Sequence, residues 1–229
     1  MHVVALVTQK GGTGKSSLAV SLAVAAAESG LKVAVIDMDP QDTAGEWYRR
    51  RQAEAPEVHS LRWSHLSSRL FRLDREGHDL VLIDTPGADS IVAAEAMKAA
   101  HFCLLPVRPS VADIEATKAT VRSLSDGNKA FAFVLNQCPT GGRTSRTSNA
   151  RMALQLLGRA CDVTLAHRSD HMDAVAAGLG VTEFAPSGKA ADEIRALLQW
   201  LRVRLQRLDG ARSDADEEEP GGSRAGGVG

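Results

Sequence analysis

The sequence contains few aromatic residues, few cysteines and no long apolar run. Aromatic residues make up 4% of the 229 residues and apolar residues 44%, so aliphatic side chains and alanine must fill the core, as suits a helix-covered parallel sheet. The three cysteines, Cys103, Cys138 and Cys161, form no CxxC pair, which argues against a thiolate metal site and indicates reduced thiols. No apolar run approaches the roughly 18 residues of a membrane span, and no secretion signal opens the chain. We therefore expect a soluble, cytoplasmic protein with no stable membrane insertion.

The sequence also lacks a strong net charge. The formal net charge is −1, which alone indicates no nucleic-acid partner. However, residues 209–229 hold six acidic and two basic residues, a net of −4, which leaves +3 on residues 1–208. A mildly positive body binds DNA only where its charge is clustered. The Gly, Ser, Asp and Glu of residues 209–229 predict a disordered acidic tail behind a single domain of residues 1–208.

A glycine-rich stretch, Gln9–Ser17, lies between an apolar run typical of a strand and an alanine-rich run typical of a helix. Strand, glycine-rich loop and helix are the context of a phosphate-binding loop. Glycines let backbone N–H groups approach phosphate oxygens, and the start of a helix adds partial positive charge. In such a loop Lys15 would reach the terminal phosphates and Ser16 would place its hydroxyl on Mg²⁺.

Two later apolar runs end in carboxylates. The run 32–38 leads into Asp37 and Asp39, and the run 79–84 ends at Asp84. The carboxyl ends of parallel strands form the edge of an α/β sheet where ligands bind. The sequence thus predicts that these carboxylates lie beside the glycine-rich loop.

The loop departs from the standard phosphate-loop pattern, because Gln9 replaces a glycine and a second lysine, Lys10, follows it. This resembles the deviant Walker A motif, KGGxGK(S/T), of the ParA/MinD family of ATPases. Residues 37–41 (DMDPQ) are similar to that family's DxDPQ motif, and Asp84 matches its Walker B carboxylate. The resemblance covers about residues 1–208; it is specific in the first motif and loose toward the C-terminus.

The resemblance implies a role for each matched residue. Lys10 would cross a dimer interface to the partner's nucleotide, Lys15 would bind the terminal phosphates, and Asp39 would position the attacking water, so these three are the expected catalytic residues. The residues expected to organise Mg²⁺ are Ser16, Asp37 and Asp84. The residues expected to bind ATP are Lys10, Gly11, Gly12, Thr13, Gly14, Lys15, Ser16, Ser17 and Asn136. For Asn136 two readings stay open, adenine contact or polar cap of its own strand.

Two further segments are similar to family segments. The turn Thr85-Pro86-Gly87 would lie near the γ-phosphate, although many members have two prolines there. Residues 106–113 are similar to a PVxPSxxD segment that supports dimer and partner contacts in partition ATPases.

The predicted fold class is α/β, a mostly parallel twisted sheet with helices on both faces. Six apolar runs predict its strands: 3–7, 32–38, 79–84, 101–107, 130–136 and 162–166. Residues 42–78 are the least regular, and Trp47 there is either tucked inward or part of a partner surface. The last helix, 191–208, carries an apolar stripe at a spacing of 3.6 residues.

By resemblance, the chain is a short partition ATPase without an N-terminal DNA-reading domain. ATP would close two copies into a dimer that binds DNA non-specifically and associates with the nucleoid, and a ParB-like or other cargo adaptor would stimulate hydrolysis. The candidate DNA contacts are Arg143, Arg146, Arg168, Lys189, Arg195 and Arg202. A membrane-cycling ATPase like MinD is the alternative, and a metabolic enzyme sharing the loop is a third class.

Overall fold

The computed structural model describes residues 1–88, 90–141 and 145–217, in which strands and helices alternate as far as the seventh strand and three helices follow it. The strands are β1 (His2–Leu6), β2 (Val33–Asp37), β3 (Glu57–Ser60), β4 (Leu80–Asp84), β5 (Phe102–Val107), β6 (Phe131–Cys138) and β7 (Ala160–Ala166). The helices are α1 (Lys15–Glu28), α2 (Thr43–Arg50), α3 (Leu66–Arg75), α4 (Ile91–Ala99), α5 (Val111–Asp126), α6 (Ser145–Gln155), α7 (Ser169–Ala176), α8 (Val181–Phe184) and α9 (Lys189–Glu217).

The seven strands form one sheet in the order β3-β2-β4-β1-β5-β6-β7, and every pair is parallel. The central strands are buried along their whole length, as parallel strands covered on both faces must be. The predicted α/β fold is therefore confirmed. The predicted strand count was wrong by one, because the edge strand β3 reads Glu-Val-His-Ser and has no apolar run to reveal it.

Helices cover both faces of the sheet. Along β1, Val4 and Leu6 pack on one face, and Val3 and Ala5 pack on the other, as the two-residue period of a strand requires. The first face is covered by α1, α2, α7, α8 and α9. The second face is covered by α3, α4, α5 and α6.

Helix α9 buries the apolar stripe that its sequence predicts. The stripe residues in the core are Ile194, Leu197, Leu198, Leu201 and Leu205. The helix continues to Glu217, so the predicted end at Leu208 was wrong. The predicted boundary between domain and tail falls inside this helix, and residues 218–229 lie outside the described residues.

Trp47 is tucked inward, which settles the alternative left open for it. Its side chain is fully buried and its indole N–H donates to the Leu179 carbonyl oxygen at 3.0 Å. The Arg51 guanidinium lies 5.0 Å from the ring centroid and forms an ion pair with Glu183 at 2.8 Å. Trp47 thus ties α2 to the segment before α8.

We expect Trp47→Ala to lower the free energy of unfolding by about 3–5 kcal/mol, because the change leaves a large cavity and an unpaired carbonyl. Trp63, which is 40% exposed, provides the matched control, and Trp63→Ala should cost no more than about 1 kcal/mol. Urea unfolding followed by far-ultraviolet circular dichroism measures both. Equal losses in the two variants would contradict the packing described for Trp47.

Candidate functional site

The site lies at the carboxyl edge of the sheet, where β1, β2 and β4 end side by side. Asp84 on β4 is in register with Leu6 of β1 and with Asp37 of β2. The glycine-rich loop that follows β1 therefore passes over both carboxylates. Chain topology alone brings together the segments that the sequence marks as functional.

The loop takes a conformation that needs glycine at two positions. Gly12 and Gly14 have φ angles of 74° and 85°, in the left-handed region. A Cβ on Gly14 would lie 2.7 Å from the Asn136 side-chain nitrogen. Gly14 is also the N-cap of α1 and has no side chain to cap the first turn. The backbone N–H groups of that turn are suited to bind an anion.

Lys15 points into the site from the first turn of α1. Its side chain is buried, and its ammonium donates to the Thr8 hydroxyl oxygen at 3.3 Å. Thr8 in turn donates to the Lys10 carbonyl oxygen at 2.9 Å. Burial lowers the pKa of Lys15, and the charges of Asp84 and Asp39 act in the opposite direction. The Lys15 ammonium is thus already held inside the site, where it can bind a phosphate with little movement of its side chain.

Asp84 is the most strongly perturbed acid of the site. It is fully buried, and neither carboxylate oxygen accepts a hydrogen bond of normal geometry from the described residues. Burial raises its pKa to about 7; the Ser16 hydroxyl and the Lys15 charge act to lower it, and Asp37 and Asp39 to raise it. A buried carboxylate without donors is costly unless a cation compensates it. Asp84 and Ser16 therefore fit a divalent cation that prefers oxygen ligands.

Asp37 is used to hold the loop after β2. Its carboxylate accepts the backbone N–H groups of Asp39 at 2.9 Å, Ala44 at 2.8 Å and Gly45 at 3.3 Å. These bonds fix the start of α2 and the position of Asp39. Asp39 itself is half-buried, and its carboxylate accepts the Gln41 N–H at 3.0 Å. Asp37 thus has a positioning task that its place in the sequence did not reveal, and its contact with Mg²⁺ stays a prediction.

Asn136 and its neighbour Gln137 clamp the loop from the other side. The Asn136 side-chain amide donates to the Thr13 carbonyl oxygen at 2.7 Å, and the Gln137 amide donates to the Gly12 carbonyl oxygen at 3.0 Å. Sequence reasoning missed Gln137, because its partner is a backbone atom 125 positions away. The amide of Asn136 is used structurally here, and its predicted contact with adenine stays a prediction.

A small cleft, with a cavity volume of about 90 Å³, opens beside Asn136 and Gln137. Its lining comes from the start of α1, the end of β6 and the segment after β7; it includes Ser17, Leu18, Asn136, Leu165, Arg168 and Met172. It combines apolar walls with a few polar groups, as small-ligand sites do. Its position next to the phosphate loop suits the base of a nucleotide.

Lys10 is half-buried and lies near the ion pair of Arg108 and Asp113. Arg108 donates to Asp113 through two nitrogens, each at 3.0 Å. Burial acts to raise the pKa of Asp113, but hydrogen bonds from Ser110 and Arg108 and the charge of Lys10 lower it on balance. The positive charge of Lys10 therefore interacts favourably with the Asp113 carboxylate of the segment 106–113.

The turn after β4 packs directly on the phosphate loop. The Thr85 hydroxyl donates to the Leu6 carbonyl oxygen at 2.7 Å. A Cβ on Gly87 would lie 2.7 Å from Gly11 Cα and 2.8 Å from Gly11 N. No side chain fits at position 87 while the two backbones hold this arrangement.

The predicted DNA contacts do not form one group. Arg143 lies outside the described residues. Arg168 is paired with Glu193 at 2.6 Å and lines the cleft described above. Arg202 lies beside His2 in a groove at the amino edge of the sheet, away from the phosphate loop.

Three of the predicted contacts remain exposed on the side of the carboxyl edge. Arg146 opens α6 and Lys189 opens α9. Arg195 is also exposed and donates to the Pro186 carbonyl oxygen at 2.8 Å. These three are the part of the predicted set that a partner at the carboxyl edge can reach.

Known proteins with similar sequence or structure agree with this geometry. A family model, the CobQ/CobB/MinD/ParA nucleotide binding domain, matches residues 4–199. Maintenance of carboxysome distribution protein A from Halothiobacillus neapolitanus is 27% identical over 206 residues, covering 85% of this chain and 93% of that protein. The chromosome-partitioning ATPase Soj from Thermus thermophilus is 27% identical over 239 residues, covering 89% and 96%. The septum site-determining protein MinD complexed with Mg-ADP, from Pyrococcus horikoshii, shares the fold with a TM-score of 0.66 at 19% identity, covering 87% and 95%.

We expect Gly87→Ala to weaken ATP binding about tenfold, because the added Cβ forces the turn and the phosphate loop apart. A displacement of the loop that costs about 1.4 kcal/mol of binding free energy is enough for a tenfold increase in Kd. A fluorescence titration with an ATP analogue measures the Kd. Gly210→Ala, at an exposed helical position where a Cβ meets nothing within 4 Å, is the matched control. An unchanged Kd in Gly87→Ala would show that the turn yields without disturbing the loop.

Proposed function

The chain belongs to the CobQ/CobB/MinD/ParA family of nucleotide-binding domains, and on that premise we propose that it is a magnesium-dependent ATPase that closes into a dimer on ATP and positions a cargo. The observation that carries the proposal is the convergence of Lys15, Ser16, Asp39 and Asp84 under one glycine-rich loop. The names of two relatives, one for carboxysome distribution and one for chromosome partitioning, support a positioning role.

We assign the following catalytic tasks, which the positions of these residues support. The N–H groups at the start of α1 and the Lys15 ammonium bind the phosphates. Ser16 and Asp84 would hold Mg²⁺, which would supply positive charge to offset the charge on the phosphate oxygens. Asp39 accepts a hydrogen bond from the attacking water and orients it in line with the bond to be broken. Asp37 keeps Asp39 in place through the backbone bonds described above.

Dimerisation is the proposed role of Lys10. Lys15 is buried, whereas Lys10 is half-exposed. Its ammonium can therefore reach a second copy that approaches the carboxyl edge. A closed dimer would bury the nucleotide and keep water other than the attacking one away.

We propose that the ATP-bound dimer binds DNA without sequence preference. We further propose that a ParB-like protein or another cargo adaptor stimulates ATP hydrolysis. The exposed Arg146, Lys189 and Arg195 support a basic surface on the side of the carboxyl edge. Binding of the dimer to a membrane, as in a membrane-cycling ATPase, is less well supported. Helix α9 has its apolar stripe in the core, and no described helix is both long and apolar enough to cross a bilayer.

We expect Lys15→Ala to abolish dimerisation on ATP and Asp39→Ala to leave ATP bound and the dimer trapped, because the first removes phosphate binding and the second only the orientation of water. Lys10→Ala should bind ATP as a monomer. Size-exclusion chromatography with light scattering measures the mass, with Mg²⁺ and a non-cleavable ATP analogue for Lys15→Ala and Lys10→Ala, and with Mg²⁺ and ATP itself for Asp39→Ala.

Lys118→Ala is the matched control, since Lys118 is an exposed lysine paired with Glu115 on α5. It should dimerise like the parent chain. A parent chain that stays monomeric when saturated with the analogue would overturn the dimer proposal. Rapid turnover in Asp39→Ala would remove Asp39 from its role.

We expect Arg146→Ala and Lys189→Ala each to weaken binding of the ATP-bound chain to random duplex DNA. Each change should also lower the slope of log Kd against log salt by about 1 for every DNA phosphate that the side chain neutralises. Arg202→Ala, at the amino edge, should change neither quantity. Fluorescence anisotropy at several salt concentrations measures both. Affinity that hardly depends on salt in the parent chain would show that DNA is not the track.

A further inference from the structure

A second cluster of metal-binding residue types lies at the amino edge of the sheet, opposite the phosphate loop. Glu57 opens the edge strand β3, Glu76 follows the end of α3, and His78 precedes β4. Their ligand atoms all lie within 4.8 Å of one another. The three residues come from separate elements that only the folded chain brings together.

His78 is held in the manner of a metal ligand. Its side chain is 3% exposed, and Nδ1 lies 3.1 Å from the Leu73 carbonyl oxygen. A carbonyl can only accept, so Nδ1 carries a proton and donates it. This bond leaves Nε2 as the free ring nitrogen, as it does in histidines that bind metals.

The free nitrogen of His78 faces a carboxylate without a hydrogen bond. Nε2 is buried, has no hydrogen-bond partner among the described residues, and lies 3.5 Å from Glu57 Oε1. That distance is longer than a charge-assisted hydrogen bond, which measures about 2.7–2.9 Å. An imidazole nitrogen and a carboxylate oxygen at this distance are placed so that one metal ion can accept electron pairs from both.

His59 lies next to the cluster. It follows Glu57 by two residues, so both side chains point to the same face of β3. Its Nε2 is 3.3 Å from Glu57 Oε2. His59 Nε2 is also buried without a hydrogen-bond partner among the described residues, so a second imidazole nitrogen faces the same carboxylate.

We propose that Glu57, Glu76 and His78 bind a divalent transition metal ion of the zinc type, which fastens the edge strand β3 to the end of α3. One imidazole nitrogen and two carboxylates are ligands that suit Zn²⁺ at about 2.0–2.2 Å. Mg²⁺ prefers oxygen ligands alone, so the cluster differs in its chemistry from the site at Asp84. The exposed Glu76 side chain can close the remaining gap by rotation.

The test titrates the full chain with Zn²⁺ alone, in the absence of nucleotide and Mg²⁺. Isothermal titration calorimetry measures binding, and differential scanning calorimetry measures the melting temperature. The parent chain should bind one ion at this site, and its melting temperature should rise because the ligands are assembled only in the folded state. Glu57→Gln and Glu76→Gln should each weaken binding at least tenfold and abolish the thermal shift. Glu76 is exposed, so its variant tests the site even where Glu57→Gln unfolds.

Two control variants separate this cluster from other carboxylates. Glu28→Gln removes an exposed acid at the end of α1, and Asp84→Asn removes the acid at the phosphate loop; both should bind Zn²⁺ like the parent chain. Loss of binding only in Asp84→Asn would place the ion at the phosphate loop and overturn the proposal. So would equal affinity in all variants, or no binding by the parent chain.

Discussion

The buried carboxylate of Asp84 is the interaction on which the site depends. It ends the central strand β4, beneath the phosphate loop, with no donor of normal geometry among the described residues. Such a group destabilises a fold unless a positive charge compensates it. Lys15 supplies part of that charge, and Lys15 is itself made less basic by burial. Asp84 and Lys15 are therefore two poorly solvated charges. A cation that binds beside Asp84 and a phosphate that binds Lys15 would stabilise both when they enter together.

Around this pair, several polar side chains bind backbone groups of the loops. Thr8 binds the Lys10 carbonyl, Asn136 binds the Thr13 carbonyl, and Asp37 binds three N–H groups after β2. Each bond satisfies a loop group that would otherwise need water. The loops that carry the chemistry are thus fixed by residues at the ends of rigid strands. This explains how Asp39, on a loop, keeps a defined position relative to Lys15.

The parts of this structure that could be predicted are those with a local pattern. The phosphate loop, the strand-end carboxylates and the stripe of α9 each leave a signature in consecutive residues. Strand β3 leaves none, because an edge strand of four residues with polar members needs no apolar run. The tasks of Asp37 and Gln137 were also invisible, since their partners are backbone atoms that could belong to any residue type. Arg168 shows a different limit. The sequence offered it as a DNA contact, but in the structure it forms an ion pair with Glu193, a residue 25 positions away that the sequence does not mark as its partner.

Gly87 links two parts of the site that lie far apart in sequence. A Cβ added at Gly87 would lie 2.7 Å from Gly11 Cα and 3.0 Å from the Lys10 carbonyl carbon, so the turn after β4 and the phosphate loop leave no room for a side chain between them. Thr85 anchors the start of that turn to β1. A side chain at position 87 therefore has to displace the turn, the loop segment at Lys10 and Gly11, or both. A proline in place of Gly87 would have to separate the two backbones, so this contact is specific to a chain that has glycine there.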